Sequence, residues 1–144
     1  MKTQVWAHRG ASAYAPENTL EAFRLAAEMG ADGVELDVQL SRDGELVVAH
    51  DETIDRVSSG TGYIKDYTLA QLKKLSFNRL FPNFKDARIP TLKEVYELLK
   101  PAGLTVNVEL KTGIILYPEI EEKVLALTAS MGMEDRVIYS SFCH

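Results

Sequence analysis

The stretch Val34-Glu35-Leu36-Asp37-Val38 alternates apolar and acidic side chains, and Val106-Asn107-Val108-Glu109-Leu110-Lys111 repeats the alternation further along the chain. Successive side chains of a strand point to opposite faces, so Glu35 and Asp37 share one face, and Glu109 lies on the polar face of the second strand. Carboxylates on neighbouring strands repel one another unless a cation joins them, and their oxygens suit Mg²⁺ or Ca²⁺. We therefore predict one divalent cation bound by these three acids.

The order of the predicted elements is that of an α/β protein with a parallel sheet. Apolar runs that predict strands alternate with helical patterns, the strands at 5–8, 33–40, 46–49, 106–111 and 137–142 and the helices at 19–29, 91–100 and 118–131. Parallel sheets are covered on both faces, so charged inward positions are rare unless they are paired or bind metal. For either acidic strand alone, the alternative is the solvated face of an antiparallel sheet.

A tight turn at Asp43-Gly44 predicts one antiparallel pair within this order. If these two residues are the central positions of a hairpin, Leu40 pairs with Val47 and Asp37 pairs with His50. The imidazole of His50 would then share a face with the carboxylate of Asp37, with the two β-carbons about 5 Å apart.

Composition limits the class of protein. The 144 residues are 46 % hydrophobic and 26 % charged, which is typical of one soluble globular domain. The formal net charge of −5 and the absence of a basic patch argue against nucleic acid as a partner. The single cysteine, Cys143, excludes an internal disulfide framework. The first residues contain no apolar run long enough for a signal peptide or a membrane span, so we expect a cytoplasmic enzyme.

Polar side chains with chemical capacity follow the predicted strands. His8-Arg9-Gly10 and His50-Asp51 end two of them, and Glu35, Asp37 and Glu109 lie near the ends of two others. Ligands bind at the carboxyl ends of strands in parallel α/β folds. A histidine in such a place beside metal-type carboxylates favours proton transfer over a structural role.

Seven short motifs in this order strongly resemble the glycerophosphodiester phosphodiesterase family. They are His8-Arg9-Gly10, Pro16-Glu17-Asn18-Thr19, Glu35-Leu36-Asp37, Asp43-Gly44, Val47-Val48-Ala49-His50-Asp51, Glu109-Leu110-Lys111 and Ser140-Ser141-Phe142. The resemblance implies a TIM (β/α)8-type barrel, a divalent cation, and hydrolysis of glycerophosphodiesters to an alcohol and sn-glycerol 3-phosphate. It also implies that Glu35, Asp37 and Glu109 bind the metal and that His8 and His50 act as general acid and base.

The residues themselves fit this chemistry. Three carboxylates and one divalent cation leave about one negative charge, which Arg9 and Lys111 would reverse, so that an anionic substrate meets a positive site. Imidazoles, with an ordinary pKa near 6.5, suit proton transfer at neutral pH. We expect replacement of His8 or His50 by alanine to slow the reaction by about 10²–10⁴-fold. The division of acid and base between them stays open, as does attack by water or by a neighbouring glycerol hydroxyl.

The start of the first predicted helix has two interpretations. Asn18 is a preferred capping residue and is predicted to cap the helix at 19–29. Alternatively, Glu17 and Asn18 lie at the mouth of the site and help to bind substrate or anion.

A complete barrel needs eight strand-helix units and about 250 residues. We therefore expect residues 1–144 to be the N-terminal portion of a single barrel domain, with about five strands and a less regular insertion at about 52–88 that includes a capping box at Thr68. Such a portion is expected to need the remainder of the barrel or to self-associate. The rival functions are a barrel-type phospholipase and a non-catalytic fragment or scaffold that retains the motifs.

Overall fold

The computed structural model of the chain describes the backbone of residues 4–111 and 119–142 and the side chains of residues 4–110 and 119–140. Strands and helices alternate over most of this length. In chain order they are β1 (Trp6–His8), α1 (Leu20–Glu28), β2 (Gly33–Leu40), β3 (Leu46–Val48), a 3₁₀ turn (Ile64–Asp66), α2 (Leu69–Lys73), α3 (Leu92–Leu99), β4 (Thr105–Lys111), α4 (Ile120–Ser130) and β5 (Val137–Phe142).

Four parallel strands form the body of the sheet in the order β1-β2-β4-β5. Their register places His8 beside Glu35, and Asp37 beside Glu109. Residue Val38 pairs with β4 on one side and with β3 on the other, so β3 extends the edge of β2 beyond the point where β1 ends. The predicted parallel α/β arrangement is confirmed, with β3 as its antiparallel exception.

The hairpin between β2 and β3 is antiparallel as predicted, but the predicted register is wrong by one residue. Leu40 pairs with Leu46 rather than with Val47, and the backbone N–H of Ala49 donates to the carbonyl of Asp37 at 3.0 Å, so His50 does not pair with Asp37. The loop that connects the two strands is longer than the predicted two-residue turn, and Gly44 in it has the left-handed φ of +80°.

Side-chain contacts select this longer loop. The hydroxyl of Ser41 donates to Asp43 at 2.5 Å and accepts from the N–H of Glu45 at 3.0 Å. Asp43 also accepts from the N–H of Leu69 at the start of α2, at 3.0 Å. The turn is therefore fixed by a contact with a distant helix, which its own sequence does not reveal.

The main core lies between the sheet and helices α1, α3 and α4. The apolar faces of β2 and β4 are fully or almost fully buried there against Phe23, Tyr96 and Val124. Because alternate residues point the other way, the acidic faces of the same strands lie on the side of the sheet away from these helices.

A second apolar cluster lies in the irregular segment between β3 and α3. It is built around Val47, Ile54, Ile64, Leu72, Phe77 and Ile89, all 5 % exposed or less. Val47 belongs to β3, so the segment is packed against the hairpin that leads to His50. The predicted capping box at Thr68 is present, with Gln71 as its partner, and a second box joins Thr91 and Glu94.

Among the residues that the structure describes, no helix combines the length and apolar character needed to cross a membrane.

Candidate metal and substrate site

Three carboxylates converge, as predicted, and they lie on the face of the sheet opposite to α1, α3 and α4. Glu35, Asp37 and Glu109 each offer an oxygen, and these atoms all lie within 4.8 Å of one another. The cause is the parallel register, which sets Asp37 directly beside Glu109, while Glu35 precedes Asp37 by one period of the strand. Two oxygens bound to one cation at about 2.0–2.6 Å are at most about 5 Å apart, so this donor set fits Mg²⁺ or Ca²⁺.

His8 and Arg9 approach this cluster from the end of β1. His8 Nε2 lies 3.2 Å from an oxygen of Glu35, and more than half of the imidazole is exposed. Arg9 has a left-handed φ of +54°, and its guanidinium lies 3.3 Å from Glu17 and 3.9 Å from Asp37. Both predicted residues are therefore beside the carboxylates, with Arg9 supplying a fixed positive charge.

Asn18 does not cap α1, so that prediction is wrong. Thr19 is the capping residue and accepts the N–H of Ala22, while Asn18 has a left-handed φ of +56°. The Asn18 side chain is 3 % exposed and donates through Nδ2 to Asp37 at 3.2 Å. Its Oδ1 has no hydrogen-bond partner among the described residues. Asn18 therefore lies beside the carboxylate cluster, and its part in binding substrate or anion stays a prediction.

His50 reaches the site from the end of β3. Its Nδ1 lies 2.9 Å from Asp51 Oδ1, and both residues line a small cavity together with Glu17 and Asn18. Since Asn18 also contacts Asp37, the cavity places His50 in the same region as the carboxylate cluster.

Gln39 was not singled out by the sequence, although it continues the polar face formed by Glu35 and Asp37. It is fully buried, and its Nε2 donates to the carbonyls of Ala49, His50 and Asp51 at 3.1, 3.2 and 2.5 Å. One side chain of β2 therefore holds the backbone of residues 49–51, which includes His50, in place by hydrogen bonds. The period-two pattern of the strand is the signal that could have found it.

Arg56 is a second residue that the sequence did not single out. Its guanidinium contacts Glu17 at 2.8 and 2.9 Å and Asp51 at 2.8 and 3.3 Å. Burial raises the pKa of both carboxyl groups, but the hydrogen bonds and charge of Arg56, together with Arg9 at Glu17 and His50 at Asp51, outweigh burial, so the pKa of each lies below its ordinary value. The two acids in turn raise the pKa of Arg56.

Lys111 continues the strand two residues beyond Glu109, and its backbone pairs with Phe142. Its side chain lies outside the described part of the chain, so the predicted phosphate contact of Lys111 stays a prediction.

The described residues thus form a parallel α/β sheet with carboxylates, histidines and an arginine gathered near its strand ends, which is where (β/α)8 barrels place their active sites. Residues 8–144 match the model of the glycerophosphoryl diester phosphodiesterase family. The chain belongs to this family, as its motifs indicated.

Relatives and solved structures agree with this assignment. The chain is 54 % identical to a glycerophosphodiester phosphodiesterase of Caldanaerobacter subterraneus over 145 residues, which cover 100 % of the chain and 60 % of the relative. The fold resembles a glycerophosphodiester phosphodiesterase of Agrobacterium tumefaciens with a TM-score of 0.88 and 40 % identity, over 98 % of this chain and 58 % of that one.

An Oleispira antarctica phosphodiesterase, solved in complex with the product sn-glycerol-3-phosphate, matches with a TM-score of 0.82 and 36 % identity, over 97 % of this chain and 57 % of that one. The chain thus spans about 60 % of the length of these proteins. The predicted fold is confirmed: the described residues form part of a (β/α)8-type barrel, with four parallel strands and the antiparallel β3 beside β2.

Proposed function

We propose that this chain carries the metal and acid/base groups of a metal-dependent phosphodiesterase that hydrolyses glycerophosphodiesters to an alcohol and sn-glycerol 3-phosphate. The observation that carries the proposal is the convergence of Glu35, Asp37 and Glu109 within 4.8 Å, with His8 and Arg9 beside them and His50 in the adjoining cavity. The product bound by the Oleispira phosphodiesterase and the names of the relatives support the same substrate class.

The three carboxylates would hold one Mg²⁺ or Ca²⁺ ion, since all their ligand atoms are hard oxygens. When bound, the ion would draw negative charge from the phosphoryl oxygens and so favour attack on phosphorus. Asn18 orients Asp37 for this task by donating to it at 3.2 Å. Arg9 adds a positive charge at the same place, and we propose that Arg9 and Lys111 bind the phosphate while Glu17 and Asn18 border the substrate.

His8 and His50 are proposed to share the proton transfers. Asp51 accepts from Nδ1 of His50, which leaves Nε2 of that imidazole to exchange a proton with the substrate. One histidine would deprotonate the attacking hydroxyl or water, and the other would protonate the departing alkoxide. Following the reaction by ³¹P NMR distinguishes the two nucleophiles, because attack by the neighbouring glycerol hydroxyl passes through a cyclic phosphate.

For the whole protein, we propose that residues 1–144 form the N-terminal portion of a single barrel domain and that residues 52–88 are an insertion in it. The partner would be a small glycerophosphodiester, with the remainder of the barrel or a second copy completing the sheet. The coverage of about 60 % of each relative also favours a second candidate, a non-catalytic fragment that binds metal without hydrolysis.

One assay separates the two candidates. Release of glycerol 3-phosphate from glycerophosphocholine and glycerophosphoethanolamine would be measured with and without EDTA. It would be applied to the chain itself and to a chimaera in which the C-terminal part of the Caldanaerobacter relative follows residue 144. We expect the chimaera to hydrolyse both substrates, and EDTA to abolish the activity.

The matched variants are Glu109→Gln in the cluster and Glu97→Gln, the same change at an exposed position of α3. Loss of an outer-sphere partner alone lowers metal affinity about 10–100-fold, so loss of a ligand charge at Glu109 should lower it at least as much. Glu97→Gln should leave metal affinity unchanged. Hydrolysis that resists EDTA, or that survives Glu109→Gln at full rate, would refute metal dependence.

A further inference from the structure

One guanidinium joins two loops at the edge of the site. Arg56 lies in the irregular segment after β3, 39 residues from Glu17 in the loop between β1 and α1. Nη1 and Nη2 of Arg56 contact the two oxygens of Glu17 at 2.8 and 2.9 Å. Nε contacts Asp51 Oδ2 at 2.8 Å, while the other oxygen of Asp51 faces His50 Nδ1 at 2.9 Å. A chain of contacts thus runs from Glu17 through Arg56 and Asp51 to the imidazole.

We propose that Arg56 is a positioning residue that clamps Asp51 and, through it, holds His50 in the tautomer that is protonated on Nδ1. The inference rests on the proposed function, because it assigns His50 to proton transfer. Arg56 itself would touch neither the substrate nor the cation.

The geometry explains why one tautomer would be selected. A carboxylate only accepts hydrogen bonds, so the Asp51 oxygen that faces Nδ1 requires a proton on Nδ1. Nε2 is then the basic nitrogen of the neutral imidazole. The Asp51 carboxylate is 27 % exposed, so without Arg56 it could turn toward water, and the imidazole could carry its proton on either nitrogen.

A single exposed ion pair would be too weak for this role, since such pairs contribute about 0–1 kcal/mol. Arg56 instead makes four charge-assisted contacts with two carboxylates, and it uses the planar fork of the guanidinium to do so. A lysine ammonium offers the same charge without the fork. The low pKa of Asp51 agrees with a carboxylate held in its charged form.

Glu17 anchors the clamp. Its carboxylate is 11 % exposed, and it also lies 3.3 Å from Arg9, which faces the carboxylate cluster. The position of His50 is therefore tied to the same loop that carries Arg9 and Asn18. Arg56 therefore joins the loop before α1 to the segment after β3.

The test reads the tautomer directly in the ¹⁵N-histidine-labelled chain and in the chimaera, by long-range ¹H–¹⁵N correlation in a pH series, at pH values above which the spectrum no longer changes. His50→Gln identifies the signal. We expect protonation on Nδ1 in the unaltered protein and a mixture, or protonation on Nε2, in Arg56→Gln and Arg56→Lys. In the chimaera we expect kcat to fall about 10–100-fold in both variants. This range is taken from metal-bound histidines that lose the hydrogen-bond partner of their second ring nitrogen.

The control is Arg79→Gln, an arginine of the same segment that donates to the backbone carbonyl of Asp55. It should change neither the tautomer nor kcat. Circular dichroism identifies variants that fold. If Arg56→Gln does not fold, Arg56→Lys, which keeps the charge, is used for the test instead. A folded Arg56 variant in which His50 keeps its proton on Nδ1 would overturn the inference. The tautomer is measured without substrate, so an unchanged tautomer can be told apart from failure of the proposed function. In the latter case, neither the chimaera nor its variants hydrolyse the diester.

Discussion

Replacement of Gly10 by alanine should destabilise the chain more than any ordinary surface substitution. Gly10 follows Arg9 and has a φ of +77°, where an alanine costs about 1–2 kcal/mol. A β-carbon at this position would also lie 2.8 Å from the backbone carbon, 2.9 Å from the β-carbon and 3.0 Å from the oxygen of Ala22 in α1. None of these atoms can rotate away, so the overlap adds about 1–3 kcal/mol. The unfolding free energy should therefore fall by about 2–5 kcal/mol.

Gly30 provides a matched control, because it has a similar φ of +80° but no neighbouring atom within 4 Å of the β-carbon that alanine would add. It ends α1 in a Schellman motif, with the N–H of Ala31 bonded to the carbonyl of Ala26. Gly30→Ala should cost only the conformational part, about 1–2 kcal/mol. Both variants would be measured by urea denaturation followed by circular dichroism. If the two variants lose the same unfolding free energy, the added β-carbon at position 10 does not overlap with α1, and the reasoning is refuted.

Two further substitutions test the buried polar groups. Gln39→Leu removes the donor shared by the carbonyls of residues 49–51 and should lower the unfolding free energy by about 1–3 kcal/mol; unchanged urea denaturation would contradict this role. Burial raises the pKa of Tyr96 to about 12, above its unfolded value near 10, so its contribution to stability is complete below pH 10 and is lost as the pH rises toward 12. This loss of unfolding free energy is about 3 kcal/mol at most. Tyr96→Phe should abolish the loss at alkaline pH, and at neutral pH it should lower the unfolding free energy by about 0.5–1.5 kcal/mol because the hydrogen bond to Thr128 is removed. If the unfolding free energy of the variant still falls at alkaline pH, another group causes the fall.

The face on which each acid of the carboxylate cluster lies could be predicted from the sequence because it depends on a short-range rule. Period-two alternation sets the face of each acid, and α/β order sets the direction of the strands. Together these bring Asp37 and Glu109 to neighbouring positions, as the register shows. The pairing of β2 with β4 is a long-range contact, because β3 lies between them in the chain, and the family resemblance supported that part of the prediction.

Other features could not be predicted because competing local solutions have similar energies. Asp-Gly suits both two-residue and longer hairpin loops, and the contact of Asp43 with α2 selects the longer one. Asn18 and Thr19 are both good capping residues, but Asn18 has a left-handed φ and its side chain is bonded to Asp37, 19 residues away, so Thr19 is the cap. The role of Arg56 depends on a partner 39 residues away, which no local pattern encodes.

The loop from Arg9 to Asn18 is closed on itself. Its two ends have left-handed φ values of +54° and +56°, and the N–H of Asn18 donates to the carbonyl of Arg9 at 2.8 Å. The N–H of Arg9 is held by the carbonyl of Glu35 at 2.8 Å, so the ring is fastened to the sheet. A ligand would meet a receptor surface that is already assembled, and binding would lose little loop entropy. Association at this mouth would then be governed by collision and charge rather than by slow rearrangement of the loop.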